Sequence, residues 1–239
     1  PRAERPPISY PETLFERMCP VNARPQWRVP SMDVANLRSQ IPTTQHVAYL
    51  NTGWAGPSPT SVVEAVQARL AEESFGARTS PEMIDSGKAI LQAAREAVAS
   101  LIHASPQEVL LTENTTEGIN VVLNGLPWKA GDEIIVCDLE HGSILLPSYV
   151  LGRRRGVVLK VLTIAPDEEH DIVLSKVSEA ITAQTRMVFM SHIQYSTGLR
   201  MPVREVARLA RSAGAWLLLD GAQAAGHVEV DVRDIDCDF

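Results

Sequence analysis

Cysteine is scarce: three residues in 239, at Cys19, Cys137 and Cys237. They are odd in number, far apart and free of metal-ligand spacing. That excludes a disulfide framework and a zinc site, and it makes a reducing cytoplasm the default compartment. Long apolar runs are also missing, since no stretch approaches the roughly 18 residues needed to cross a bilayer. The polar, Pro-rich opening PRAERPPISYPE has no signal-peptide core. Positive charge is short, with 22 Lys and Arg against 29 Asp and Glu and a net charge of -7. Non-specific nucleic-acid binding needs the opposite balance. The one basic run, Arg153-Arg154-Arg155, lies between apolar segments and reads either as a solvated helix end or as a phosphate or partner patch. Neither a GxGxxG nor a P-loop pattern occurs, so nothing favours a nucleotide cofactor.

What the chain does have is a hydrophobic content of 45%, enough for one sizeable core or a large domain with an arm. Residues 1–45 hold many of the prolines and read as an extended arm ending in a short helix around MDVANLRSQI. At HVAYLNTGWAGPSP a short apolar strand runs into a Gly/Pro loop. Ser58 or Thr60 then caps a helix over TSVVEAVQARLAEESF, with Val62, Val63, Val66 and Leu70 at helical spacing. A second helix covers roughly 82–102.

From there strands and helices alternate. EVLLT, DEIIVCD, VVLKVLTI, RMVFMSHI and AWLLLD read as strands, separated by four helical segments. Four successive strand–helix–strand steps with nearly continuous apolar strands predict an α/β fold, a mostly parallel sheet with helices on both faces.

Ligands of such sheets bind outside the carboxyl ends of the strands. The polar residues there are Thr112, Asn114, Thr115 and Thr116; Asp138, Glu140 and His141; Ser191, His192, Gln194 and Tyr195; and Asp220 with Gln223. Each has two readings. The threonines cap a helix, or with the first-turn amides they seat an anion. His141 is a turn histidine, or its flat ring stacks on an aromatic ligand. His192 at a strand end is buried and hydrogen-bonded, or catalytic. Asp220 ends the run WLLLD, where a carboxylate is expensive unless it has a charged or protonated partner. It caps the next turn, or it holds a proton on a heteroaromatic nitrogen. An anion seat, a stacking histidine and an Asp for a ring nitrogen together suit a phosphorylated aromatic cation.

In order and spacing, YLNTGWAGPSP, LLTENTTEGIN, GDEIIVCDLEHGS, SHIQYSTGLRMPVREV and LLLDGAQAAGHVEVDV resemble class V aminotransferase-like enzymes. These are pyridoxal 5'-phosphate (PLP) enzymes of fold type I, and they include cysteine desulfurases, cysteine/cystine C–S lyases and isopenicillin N epimerase-like proteins. The resemblance covers about 46–239 and implies a partial PLP-binding large domain there. It implies that Thr115 and Thr116 bind the cofactor phosphate, that His141 stacks on the ring and serves catalysis, and that Asp220 pairs with the ring nitrogen. Gln223 would contact the phenolic oxygen, and Asn51, Thr52 and Gly53 would border the substrate. An amino-acid substrate, a homodimer and C–S bond cleavage follow as expectations. Epimerisation, transamination or a non-catalytic ligand-binding homologue are the alternatives.

The resemblance also marks two departures. HIQYSTG carries Tyr195 near where cysteine desulfurases usually have Asn, closer to the lyase and epimerase-like branches. The family's cofactor-bonding lysine follows the DCDF segment in a His-Lys pair, beyond Phe239. None of Lys88, Lys129, Lys160 and Lys176 matches its position, so the sequence is expected to be an N-terminal portion, inactive alone. None of the three cysteines is expected to be a desulfurase nucleophile.

Overall fold

The computed structural model describes residues 33–239, so most of the arm expected over 1–45, with Cys19, lies outside the described residues. The described residues divide into two compact units, those up to 52 with 57–65 and residues 53–56 with 66–239. In the first, helix α1 (Val34–Gln40) starts at Asp33, whose side chain accepts from the Asn36 amide, and gives way to a 3-10 turn at Pro42–Gln45. Helix α2 (Thr60–Phe75) begins in the first unit and ends in the second.

The second unit holds the sheet. Helix α3 (Pro81–Ile102) has Ser80 as N-cap and Pro81 in its first turn, where a missing N–H costs nothing. The order then runs α4 (Thr115–Gly125), β1 (Glu133–Cys137), α5 (Gly142–Arg155), β2 (Val158–Leu162), α6 (His170–Ala180), β3 (Thr185–Ser191), α7 (Val203–Ser212), β4 (Trp216–Asp220) and α8 (Val232–Ile235). All four strands are parallel, in the order β2-β1-β3-β4.

Side-chain alternation along the strands gives the sheet two apolar faces. Ile134, Val136, Met187, Phe189 and Leu218 pack on one face with Ile119 and Leu123 of α4 and Ile144 and Leu151 of α5. Ile135, Cys137, Val188, Met190 and Leu217 pack on the other with α6 and α7. Helix α7 illustrates the cause: Val203, Val206, Ala207 and Ala210 recur at i, i+3, i+4 and i+7, and all four are buried. The expected α/β architecture with helices on both faces is therefore the observed one. The run Arg153–Arg155 forms the exposed last turn of α5, where positive charge suits the helix dipole. No helix among the described residues is long and apolar enough to cross a membrane.

Two expected strands are not formed. EVLLT follows a 3-10 turn at Pro106–Glu108 and pairs with nothing among the described residues, leaving Leu110 62% exposed. HVAYL likewise stays irregular, with Leu50 exposed. A strand needs a ladder partner for its backbone groups as well as an apolar pattern. The four anticipated crossover steps therefore become three. The helix over 60–75 forms as expected, but Val62, Val63, Val66 and Leu70 on it all remain exposed.

The strand order fixes where a ligand fits. β1 leads through α5 to β2 on one side, while β3 and β4 lie on the other, so the boundary between β1 and β3 is the switch point at which parallel sheets bind ligands.

Candidate active site at the carboxyl ends of the strands

Asp220 is the last residue of β4, opposite Ser191 in the ladder, and its main-chain carbonyl accepts from the His192 amide. It is 6% exposed. Its side chain accepts one hydrogen bond, from the Ala222 amide to Oδ1 at 2.9 Å, and makes no ion pair with a described residue. Burial pushes its carboxyl above the usual range, against the pull of that amide and of the charge His141 can carry. A buried carboxylate so poorly compensated is a seat for a cationic or protonated ligand group. The turn that follows brings Gln223 round so that its Nε2 donates to the Gly53 carbonyl at 2.9 Å.

His141 is the N-cap of α5. Its Nδ1 accepts from the Ser143 amide at 3.1 Å and lies 2.9 Å from Ser143 Oγ. The neutral ring therefore carries its proton on Nε2. Its ring meets that of Tyr195 edge to face, 5.0 Å between centroids.

At the start of α4 the cap is Asn114, whose side chain accepts from the Glu117 amide at 3.0 Å, and the Glu117 carboxylate returns to the Glu113 amide. Thr115 and Thr116 follow it, exposed, with hydroxyls and amides that bond to no described residue. The capping role thus falls to Asn114, and the threonines are left with free donors at the positive end of a helix. Thr116 and His141 share a groove of about 560 Å³ between α4 and α5, lined also by Asn120, Leu146, Val150 and Arg154.

The fold therefore gathers Thr116 with His141, and separately Gln223 with Gly53. Asn51 and Thr52 belong to the first unit and Gly53 to the second. The donor set fits a phosphorylated, ring-nitrogen cofactor: a buried acid lacking a cation, free threonine hydroxyls, and a histidine whose Nδ1 is already committed.

Sequence reasoning gave no role to a buried polar knot behind these residues. Glu140 is 4% exposed and accepts from the Ser191 amide, the Ser191 hydroxyl, Gln194 Nε2 and the Cys137 thiol. Burial raises its carboxyl above the usual range and outweighs the four donors, of which Ser191 acts most strongly. His192 is buried as one reading had it, but among the described residues its Nδ1 has no partner, and neither has Gln194 Oε1. Desolvation, then Arg200, holds the His192 imidazole below its ordinary range. The only sign in the sequence was a Glu placed next to a His after a strand.

Of the lysines, Lys88 pairs with Asp85, Lys160 with Glu133 at the far end of β1, and Lys176 with Glu168. Cys137 is buried and Cys237 half-buried, and desolvation raises both thiols, the reverse of what a thiolate nucleophile needs. No group of three or more His, Cys, Asp or Glu among the described residues could hold a metal ion.

Comparison with known proteins agrees with the fold. The chain is 36% identical over 209 residues to a probable cysteine desulfurase of Methanothermobacter thermautotrophicus, covering 87% of this chain and 52% of that protein. It is 36% identical over 197 residues to one of Pseudomonas aeruginosa, covering 81% and 49%. Among solved structures, it resembles the cystine C–S lyase C-DES in complex with its reaction product cysteine persulfide. The TM-score is 0.79 at 26% identity, over 83% of this chain and 53% of that one. The cysteine desulfurase CsdA of Escherichia coli gives a TM-score of 0.74 at 31% identity, over 86% and 52%. The chain spans about half the length of the curated relatives it matches. A model of the Aminotransferase class-V family matches residues 49–239, and with the parallel sheet and the site at its carboxyl ends this chain belongs to that family.

Proposed function

We propose that the protein binds PLP at the carboxyl ends of β1, β3 and β4, and that the full-length enzyme cleaves the C–S bond of an amino acid such as cysteine or cystine. The observation that carries this reading is Asp220, a carboxylate buried at a strand end with one side-chain hydrogen bond and no ion pair among the described residues. A protonated heteroaromatic nitrogen supplies the missing positive charge, and Asp220 holds the proton on it. His141 lays its ring against the cofactor ring. Thr115 and Thr116 take the phosphate through hydroxyls and first-turn amides, Gln223 contacts the phenolic oxygen, and Asn51, Thr52 and Gly53 border the substrate. When bound, PLP supplies a sink for the electron pair left at the substrate α-carbon.

The choice of sulfur amino acids is supported by the relatives, cysteine desulfurases and a cystine C–S lyase. Among the described cysteines, burial raises both thiols, so neither is assigned an attack on sulfur. In elimination the α-proton leaves, the C–S electron pair departs with sulfur, and water releases pyruvate and ammonia. Residues 1–45 are an arm in this reading, and 46–239 part of the large cofactor-binding domain. A reducing cytoplasm and a homodimer belong to it as well. The dimer is supported by the open α4–α5 groove, where Leu146 and Val150 stand exposed.

The test uses the complete protein. Addition of PLP should give an absorbance band near the visible edge that borohydride abolishes, and cystine should yield pyruvate with a persulfide. Alanine with an enzyme-bound persulfide instead would mean desulfuration, and a D-amino acid without sulfur release would mean epimerisation. A PLP-loaded protein inert to every amino acid would be a binding homologue, and failure to take up PLP overturns the reading.

A further inference from the structure

Glu140 has no part in the function proposed above, yet the fold spends four donors on it. An ionised carboxylate accepts only, at about four lone-pair positions. Here Oε1 accepts from the Cys137 thiol at 3.3 Å, the Ser191 amide at 3.0 Å and Gln194 Nε2 at 2.9 Å, and Oε2 accepts from the Ser191 hydroxyl. The donors come from both sides of the switch point: Cys137 ends β1, while Ser191 and Gln194 lie where β3 gives way to its loop. An apolar side chain would fill this space without the cost of burying a charge, so packing alone does not account for a carboxylate.

What the bonds achieve is registration. The residue after Glu140 is His141, and the residue after Gln194 is Tyr195. Those two rings meet edge to face, 5.0 Å apart and at 90°. The Glu140–Gln194 bond therefore lies one residue behind the ring pair on both segments. The opposite end of the β1 loop is held separately, by Asp138 Oδ1 accepting from the Ile164 amide at 3.0 Å. The side-chain hydrogen bonds of His141 itself are the local ones to Ser143.

We propose that Glu140 is a positioning residue: it clamps the loop after β1 to the loop after β3 and so sets the orientation of the His141 ring, with Tyr195 as its neighbour. The proposal rests on His141 being the ring-stacking residue of the PLP site. The clamp itself is a property of the cofactor-free protein and can be read there.

Glu140→Gln keeps the shape but removes the charge from every bond and replaces one acceptor oxygen by an NH2 group, which meets three donors at the Oε1 position or makes the Ser191 hydroxyl turn to accept at the Oε2 position. In the complete, cofactor-free protein, the His141 ring resonances are identified by their loss in His141→Gln. Their ring-current contribution is identified by Tyr195→Leu. Glu140→Gln should move the His141 resonances toward their Tyr195→Leu positions while distant methyl resonances stay in place. PLP affinity should fall about tenfold, and combining Glu140→Gln with His141→Ala should add less than twofold to the His141→Ala loss, as expected of coupled residues. Unmoved His141 resonances, or losses that multiply, overturn the clamp.

If Glu140→Gln does not fold, Ser191→Ala removes one donor and leaves the carboxylate. It should shift the same resonances in the same sense by less, and no shift overturns the proposal. A wild-type protein that takes up no PLP sinks the cofactor reading, and the His141 resonances still decide the clamp.

Discussion

The Gln223 side-chain amide donates to the Gly53 carbonyl at 2.9 Å, joining the Asn-Thr-Gly loop to the turn after Asp220 across 170 residues of sequence. The approach is close enough that a Cβ on Gly53 would lie 3.0 Å from Gln223 Oε1. A methyl group there would make the end of the Gln223 side chain give way by a few tenths of an ångström.

Gly53→Ala should push Gln223 off the carbonyl. The loss of one hydrogen bond of this kind is worth about 1 kcal/mol, so Gly53→Ala and Gln223→Ala should destabilise by similar amounts in urea unfolding. The double variant should be little worse than either single one. Additive losses would show that the two residues do not act through this contact.

Asp220 makes a prediction of opposite sign for stability and for binding. Its carboxyl is raised by burial, so the folded protein holds that proton more tightly than the unfolded chain does. The stabilising contribution is complete below the ordinary carboxyl pKa and is lost as pH rises through the raised folded value. Above its raised folded value the cofactor-free protein carries a destabilising charge, so Asp220→Asn should raise the melting temperature there and flatten the decline above the ordinary carboxyl range. The same variant should weaken PLP binding by about tenfold or more, since a hydrogen bond to a charged group contributes roughly 1.5–3 kcal/mol. A melting temperature that falls at every pH would show Asp220 to be a structural cap.

The start of α4 separates capping from ligand binding residue by residue. Asn114→Ala should cost about 1 kcal/mol of stability, the usual worth of an N-cap. Thr116→Val keeps the volume and removes a hydroxyl bonded to no described residue. It should leave the melting temperature unchanged and weaken PLP and competing inorganic phosphate alike. A matching stability loss for Thr116→Val would return the threonine to the cap.

Cys137 should be silent to a thiol reagent in the folded protein and react only on unfolding, because burial and the Glu140 carboxylate both raise its thiol. Cys137→Ala also removes the longest of the bonds to Glu140 and should lower turnover of the complete enzyme no more than Ser191→Ala does. A much larger loss with stability retained would make Cys137 part of the chemistry.

Much of the fold was legible because its signals are local. Helix α7 announces itself through apolar residues at helical spacing. β1, β3 and β4 do so as unbroken apolar runs, and burial on both faces of the sheet confirms them. EVLLT carries the same local signal and forms no strand, because a ladder partner is a non-local requirement that an apolar pattern cannot supply. Val62, Val66 and Leu70 show the same limit for a helix: the period makes α2, and whether its stripe is covered is decided elsewhere in the chain.

The candidate site divides along the same line. Sequence by itself determined the family, the alternation of strands and helices, and the polar residues at the strand ends, since each is written in residue type and spacing. Only the tertiary structure decided that Asn114 rather than a threonine caps α4. It also decided that Gln223 closes on Gly53, and that four donors from β1, β3 and their loops converge on Glu140 behind His141. Hydrogen bonds of that kind depend on directions and distances between segments far apart in sequence. Those exist only once the parallel sheet has set β1 beside β3.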